Sequence, residues 1–504
     1  MGILNFNKWL SKTYPKSIIK TNSNKTYENV YIDINCILHR IVSNSINERK
    51  LFDNLYNYIN HILKYNTPTK SLTIAIDGIA PFAKVILQRK RRLRIARNID
   101  ESDITTIMNP LFFTPGTKFM RSLPDKFDKY MKKLELQYKV SVELLTGAEE
   151  AELKLIKKLK SKSHNEQHLI VSTDADIIIM ASTTDVHANK IFINNLKYTI
   201  SIDKLLDSHS IAICSSNKPW IGKDFMFISL LMGNDYIPKL NYTNPIKLWS
   251  AYIKTLNMIN TGCFIDNNIN YEFILNLMRN IVSEMPKRWL SQFNISSYDP
   301  QIYKSYLEGL KWCSDIYITY TSNNLDYMYN SDGSPHPFGV LFFIETHKSI
   351  LEKQIKQTDK IKFTPIIEDV YAILILPKSS LFLVDDKYTK QIDSRFDILY
   401  EEEHCKFCIE HHKKLSELNK EMHEIQISSD TIDSEEMDEI NKKIRILKKT
   451  ISRLSLKVSK HKQIHKDITI DDIYYIIKCF NDGINSAEMV VEPTQVNVEV
   501  VTTN

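Results

Sequence analysis

Asp33, Asp77, Glu150, Glu152, Asp174, Asp176 and Asp235 are the side chains of this sequence best spaced to do chemistry together. Most of them stand where a hydrophobic segment runs out. Asp33 follows Val30-Tyr31-Ile32, Asp77 follows Leu72–Ile76, and Glu150 and Glu152 follow Val140–Leu145. Asp174 and Asp176 follow Leu169-Ile170-Val171-Ser172, and Asp235 ends Gly233-Asn234-Asp235. In open α/β sheets, sites form at the carboxyl ends of the strands. Acids converging there repel one another unless a cation holds them, and hard oxygen ligands suit Mg²⁺ or Mn²⁺. Two such ions about 4 Å apart are the usual machinery of phosphodiester hydrolysis. The pattern points to a metal-dependent nuclease. A single Asp at a strand end is more often a turn or a helix cap than a ligand. The reading therefore rests on repetition, and on Asp174-Ala175-Asp176, whose alternate residues point the same way in an extended chain. Glu149, Glu150 and Glu152 would also suit the start of a helix.

A cationic run, Lys84–Arg94, lies between the second and third groups of acids. Lys84, Gln88, Arg91 and Arg92 are spaced i, i+4, i+7 and i+8, so on a helix they share about a third of the circumference. Arg89, Lys90 and Arg94 point elsewhere. Two guanidinium groups, an ammonium and an amide in one patch can hold a terminal phosphate through charge-assisted bonds. Charge runs usually end as solvated helix faces. Here the helix follows Asp77-Gly78-Ile79-Ala80-Pro81, a loop leaving a strand end beside the acids, and that favours the phosphate pocket.

The elements that must position these groups alternate between strand and helix. Strands are expected at Asn29–Ile32, Leu72–Ile76, Val140–Leu145, His168–Ser172 and Lys190–Asn194, with helical patterns such as Leu51–Leu63 and Ala151–Leu159 between them. Alternation of this kind predicts an α/β fold with a mainly parallel sheet flanked by helices, and the Ile/Val/Leu-rich strands fit burial on both faces. Residues 1–245 form the expected catalytic domain and 246–400 a more helical second region completing the pocket. Trp249, Trp289 and Trp312 read there as packing residues. Residues 401–487 hold a C-terminal helical hairpin, centred on 411–466 and broken at Ser428–Glu436, with unknown protein partner. Residues 488–504 read as a tail.

At 504 residues the chain is long enough for more than one domain. A net charge of +6 is too modest to establish a nucleic-acid partner by itself. Seven cysteines without framework spacing fit a reducing compartment, and a cytoplasmic location is expected, the host cytoplasm if the source is viral. No apolar run is long enough to span a membrane and no signal peptide is evident. His404-Cys405-Lys406-Phe407-Cys408-Ile409-Glu410-His411-His412 has a Cys-x-x-Cys with histidines, but zinc sites usually draw on two separated pairs. With every candidate inside nine residues, a helix surface is the expectation.

The opening Met1–Ser11 resembles that of the XRN family of 5′→3′ exoribonucleases. Further similar segments follow in order. They are Asp33–His39, Asp77–Pro81 with Lys84, Gln88, Arg91 and Arg92, and Thr114-Pro115-Gly116-Thr117 with Phe119-Met120. Then come Glu150-Ala151-Glu152 with Lys154, Asp174-Ala175-Asp176, Gly233–Pro238 and Tyr306–Trp312. The resemblance is strong to about residue 240 and patchy to about 385. It implies a PIN-like 5′-nuclease core in which the seven acids bind metal and Lys84, Gln88, Arg91 and Arg92 form a 5′-phosphate pocket. Asn35 would hold the site together and His39 would stack on a terminal base. The implied activity is Mg²⁺-dependent (or Mn²⁺-dependent, with two ions) degradation of single-stranded RNA bearing a 5′-monophosphate, in RNA turnover. The family's usual Gly-Glu-Gly-Glu-His is Glu149-Glu150-Ala151-Glu152-Leu153 here, which leaves Glu149 as a reserve ligand. A second stacking aromatic would be Tyr327 or Tyr329. Rival readings are a structure-selective 5′ or flap DNA nuclease and a catalytically inactive RNA-binding scaffold.

Overall fold

The computed structural model describes residues 3, 6–19, 24–99, 101–163, 165–184, 190–213, 220–259, 261–321, 325–329, 333–354, 366–428, 434–462 and 468–485. Its centre is a seven-stranded sheet. The strands are β1 (Ile18–Ile19), β2 (Lys25–Asp33), β3 (Asn66–Ala75), β4 (Ser141–Leu145), β5 (His168–Val171), β6 (Ile191–Asn194) and β7 (Thr199–Ser201). Their order is β1-β7-β6-β5-β2-β3-β4. The β6-β5-β2-β3-β4 pairs are all parallel, and β7 and β1 add an antiparallel edge. The mainly parallel sheet agrees with the alternation of strands and helices along the chain. The two edge strands β1 and β7 were not foreseen, because two or three residues are too short for a period to register.

Side chains alternate between the faces of the sheet. Tyr31, Ala75 and Ile170 join one core with the helices Ile221–Leu230, Pro245–Met258, Tyr271–Ser283 and Pro300–Thr319. Val30, Ile32, Leu72, Ile74, Leu169 and Val171 join another, with the helices Ile34–Ile41, Glu48–Tyr65 and Lys118–Tyr138. Trp9 lies parallel to Trp249, ring centroids 5.8 Å apart, so the N-terminal helix Phe6–Thr13 is anchored in the first core.

A third core lies under the cationic helix Val85–Arg97. Ile79, Phe82 and Val85 meet Val370–Leu376, Phe396 and Leu399 there, together with Ile473, Ile476, Ile477 and Phe480. The last four form an i, i+3, i+4, i+7 stripe that must bury itself against something. The helix Ile470–Asn485, which the sequence reading grouped with the hairpin, therefore sits in this core. The hairpin consists of the helices Lys406–Ser428 and Ser434–Lys462, packed against each other. Most of the expected break, and the whole of 488–504, lie outside the described residues. No helix among the described residues is long and apolar enough to cross a membrane.

Candidate active site

β5, β2, β3 and β4 are neighbours in the sheet, and their carboxyl ends deliver six of the seven acids. Asp33 is the last residue of β2 and caps the next helix, its Oδ1 accepting from the N–H groups of Asn35 (3.0 Å) and Cys36 (3.3 Å). Its Oδ2 accepts from Ser172 Oγ at 2.9 Å. Asp77 leaves β3 in a loop held by two contacts: Asn35 Oδ1 accepts its N–H at 3.2 Å, and its own Oδ1 accepts the Ala151 N–H at 2.9 Å. Asn35 is thus a buried brace between two of the acids. Lys154 ties the same ends together, donating to Ile76 O and Gly147 O, both at 2.7 Å.

This close packing explains one glycine. A Cβ on Gly78 would fall 2.0 Å from the Gly147 carbonyl oxygen. It also explains the substitution at 149. Glu149 has φ +76°, a conformation that favours glycine, and its carboxylate turns outward to Lys157 Nζ at 2.6 Å. Glu150 and Glu152 are the members of this run buried in the acid cluster. Glu150 accepts from Lys84 and from the Tyr236 hydroxyl. Asp174 caps the helix Ala175–Ser182, accepting the Asp176 N–H at 3.0 Å, and Tyr317 lines the same pocket as Asp176.

The seventh acid arrives from another part of the chain. Gly233 has φ +78° and Asn234 Oδ1 accepts from the N–H groups of Tyr236 and Ile237, both at 3.0 Å, so a tight turn presents Asp235. Lys84 Nζ stands 3.3 Å from Asp235, and Arg91 forms a two-pronged pair with it. The cationic helix and the acids therefore form one continuous site. Thr114 Oγ1 accepts from Arg92 Nε at 3.2 Å, and Arg92 also donates to Gln88. Arg89 donates to the Leu374 and Leu399 carbonyls, which fastens the helix to the third core. Gly116 follows Thr114 with φ +89°, and a Cβ there would strike Glu368 O at 1.9 Å, so this turn also receives the helix Glu368–Ile375.

Charge in this cluster is under tension. Burial first, and then Asp77, push the Asp33 carboxyl up to about 7. Burial followed by Asp174, Asp77 and Glu150 holds Glu152 well above the usual carboxylate range, and burial followed by Asp174 and Asp235 does the same to Asp176. Asp235 goes the other way: burial opposes its charge, but Lys84 and Arg91 outweigh burial and keep it low. Two buried oxygens, Asp174 Oδ2 and Asp176 Oδ1, accept no hydrogen bond from any described residue. Lone pairs of this kind in a dry, acidic cluster are suited to hard divalent cations. Among the described residues, no three of these acids bring one oxygen each within 4.8 Å of one another; Lys84 lies between Glu150 and Asp235.

His39 is exposed near the end of the helix Ile34–Ile41, its ring edge-on to Phe113 at 5.5 Å. Tyr327 lies against Trp312, centroids 4.7 Å apart, and Trp312 in turn meets Tyr236 at 5.3 Å. Tyr329 contacts Tyr306 at 6.4 Å. Sequence reasoning assigned no role to Ser172, Thr114, Tyr236 or Tyr317. Tyr236 stands next to an acid in the chain and Ser172 two residues from one; Tyr317 gives no signal, because it lies on a distant helix.

Residues 1–194 match the family model described as the XRN 5′-3′ exonuclease N-terminus. A 5′-3′ exoribonuclease 1 of Saccharomyces cerevisiae is 31% identical over 36% of this chain and 14% of its own length. One of Schizosaccharomyces pombe is 25% identical over 58% of this chain and 27% of its own, and one of Homo sapiens is 27% identical over 36% and 13%. The match therefore spans little more than a quarter of these relatives at most.

Proposed function

We propose that this chain, whose residues 1–194 match the XRN exonuclease N-terminus, is a divalent-metal-dependent 5′→3′ exoribonuclease. Its substrate is single-stranded RNA with a 5′-monophosphate, its products are nucleoside 5′-monophosphates, and its role is RNA turnover, in the cytoplasm. The observation that carries this reading is the junction of Lys84 and Arg91 with Asp235. A phosphate-binding helix and an acid cluster share one pair of charges, so a bound 5′ end and the reacting phosphate would be neighbours.

Asp33, Asp77, Glu150, Glu152, Asp174, Asp176 and Asp235 would hold the cations, Mg²⁺ or Mn²⁺ and two in number. Formally these seven negative charges face Lys84 and Arg91, and five remain; two divalent ions would offset four. When bound, the cations would supply Lewis acidity and offset the negative charge that develops during phosphodiester hydrolysis. The chain's own groups do the rest. Tyr236 and Lys84 orient Glu150, and Ser172 orients Asp33. Arg91, Arg92, Gln88 and Lys84 receive the terminal phosphate, whose charge and three oxygens match their donors. His39, open on its face, stacks on the terminal base, a sequence-tolerant contact. Tyr327 is already covered by Trp312 and is the weaker stacking candidate.

The test is a product analysis in Mg²⁺. RNA labelled at the 3′ end and carrying a 5′-monophosphate should release unlabelled nucleoside 5′-monophosphates first. Early release of labelled mononucleotide, or cleavage of flap DNA in preference to this RNA, would contradict the proposal.

A further inference from the structure

The Cys-x-x-Cys at the start of the hairpin does not stand alone. The sulfurs of Cys405 and Cys408 and an imidazole nitrogen of His461 all lie within 4.8 Å of one another. Cys405 Sγ and His461 Nε2 are 3.2 Å apart. Sequence spacing argued against zinc because every candidate lay in one short run. The fold supplies the missing separate element, since His461 is 56 residues along the chain from Cys405. We propose that Cys405, Cys408 and His461 bind a zinc ion that clamps the base of the helical hairpin.

The ligand chemistry fits. Two thiolates and an imidazole are soft to borderline donors that select zinc over the hard cations of the acid cluster. Binding displaces the two thiol protons to solvent, and a water or a further side chain completes four ligands. Cys408 is fully buried, and the histidine ring is held in place. Phe407 lies on it with centroids 4.0 Å apart, and His411 stacks on the other aromatic at 3.8 Å while sharing a hydrogen bond with the Phe407 carbonyl at 3.0 Å.

The position explains the purpose. Cys405 and Cys408 flank the first turn of Lys406–Ser428, and His461 sits in the last turn of Ser434–Lys462. The ion would join the point where the hairpin leaves the body to the point where it returns. These helices of 23 and 29 residues need such a joint. Along them, among residues whose burial is described, only Cys408, Leu447 and Val458 are buried. A seam that thin gives little hydrophobic stabilisation to a long projecting pair.

The experiment uses the full chain, kept reduced and purified from zinc-supplemented cells without chelator. It should carry about one zinc per chain, and Cys405→Ser with Cys408→Ser should carry less than about a tenth of that. Asp174→Asn should keep its zinc, which separates this site from the acid cluster. Cobalt added to metal-free protein should give thiolate charge-transfer absorption and the intense visible bands of a tetrahedral ion, both lost in His461→Ala. Zinc should also slow protease cleavage within 406–462. Wild-type protein that takes up neither zinc nor cobalt overturns the site, and so does full zinc in the double variant or an unchanged cobalt spectrum in His461→Ala. If the double variant does not fold, the cobalt titration of wild-type protein decides alone. Equal cleavage with and without zinc overturns the clamp.

Discussion

Arg91 holds Asp235 with both terminal nitrogens, Nη1 to Oδ2 at 3.0 Å and Nη2 to Oδ1 at 2.8 Å. The two residues come from the cationic helix and from a turn 144 residues away. A planar fork on a carboxylate fixes direction as well as distance. The pair thus sets the position of the cationic face relative to the acids. An incoming phosphate must share or displace this contact, which couples recognition of the end to the acid site.

Asp174→Asn and Asp176→Asn should each lower hydrolysis in Mg²⁺ by several orders of magnitude while RNA binding persists. Asparagine caps a helix as well as aspartate, so the cap at 174 survives the change. Removing one charge from a crowded buried cluster should also raise the melting temperature in EDTA. The gain in melting temperature on adding Mg²⁺ should shrink. Turnover near that of the wild type, in either variant, would remove that acid from the metal set.

Glu149 and Glu150 should behave oppositely. Glu149→Gly relieves a positive φ at a cost of one partly exposed ion pair, so stability should be unchanged or up to about 1 kcal/mol higher, with normal turnover. Glu150→Gln strips a partner from Lys84 and a ligand from the site, and should slow turnover by about a hundredfold or more, roughly 2.7 kcal/mol of barrier. Chemical denaturation and single-turnover rates decide the point. A severe activity loss in Glu149→Gly would shift the register of the acids by one residue.

Much of this arrangement was legible beforehand because it is local. β2, β3 and β5 finish in short apolar segments with an acid at the end or within three residues beyond it, so the strands and the direction of their carboxyl ends could be read together. The joint between Arg91 and Asp235 could not, because it links residues far apart with no pattern in common. The same holds for His461 completing a cluster with Cys405 and Cys408. The helix Ile470–Asn485 shows a third case. Its apolar stripe announces that it must be buried, but nothing local says that the partner is the core beneath the cationic helix.

Asp224, wholly buried away from the acid cluster, gives a pH signature. Burial pushes its carboxyl up to about 7 despite hydrogen bonds from the Tyr252 hydroxyl and the Cys263 N–H, both 2.7 Å. The folded pKa lies above the ordinary 3.8, so the folded state holds this proton more tightly than the unfolded state does. Stability from this group is greatest at low pH, falls as pH rises from about 4 to about 7, and is level above that. In excess Mg²⁺, Asp224→Asn should flatten this part of the curve by up to a few kcal/mol. Parallel curves for wild type and variant, from denaturant melts at several pH values, would contradict the assignment.

The central claim, that a phosphate pocket feeds the acid cluster, is tested most directly by Arg91→Ala on two substrates. The decay rates of 5′-monophosphate and 5′-hydroxyl forms of one unstructured RNA are compared with wild type in Mg²⁺. A charge-assisted bond contributes about 1.5–3 kcal/mol, so the variant should degrade the monophosphate form about ten- to a hundredfold more slowly. The hydroxyl form should lose much less, only what loosening Asp235 costs both substrates, and the preference between the ends should narrow accordingly. Equal losses on both RNAs, with a shallower salt dependence, would mark a general RNA-binding surface and contradict the account.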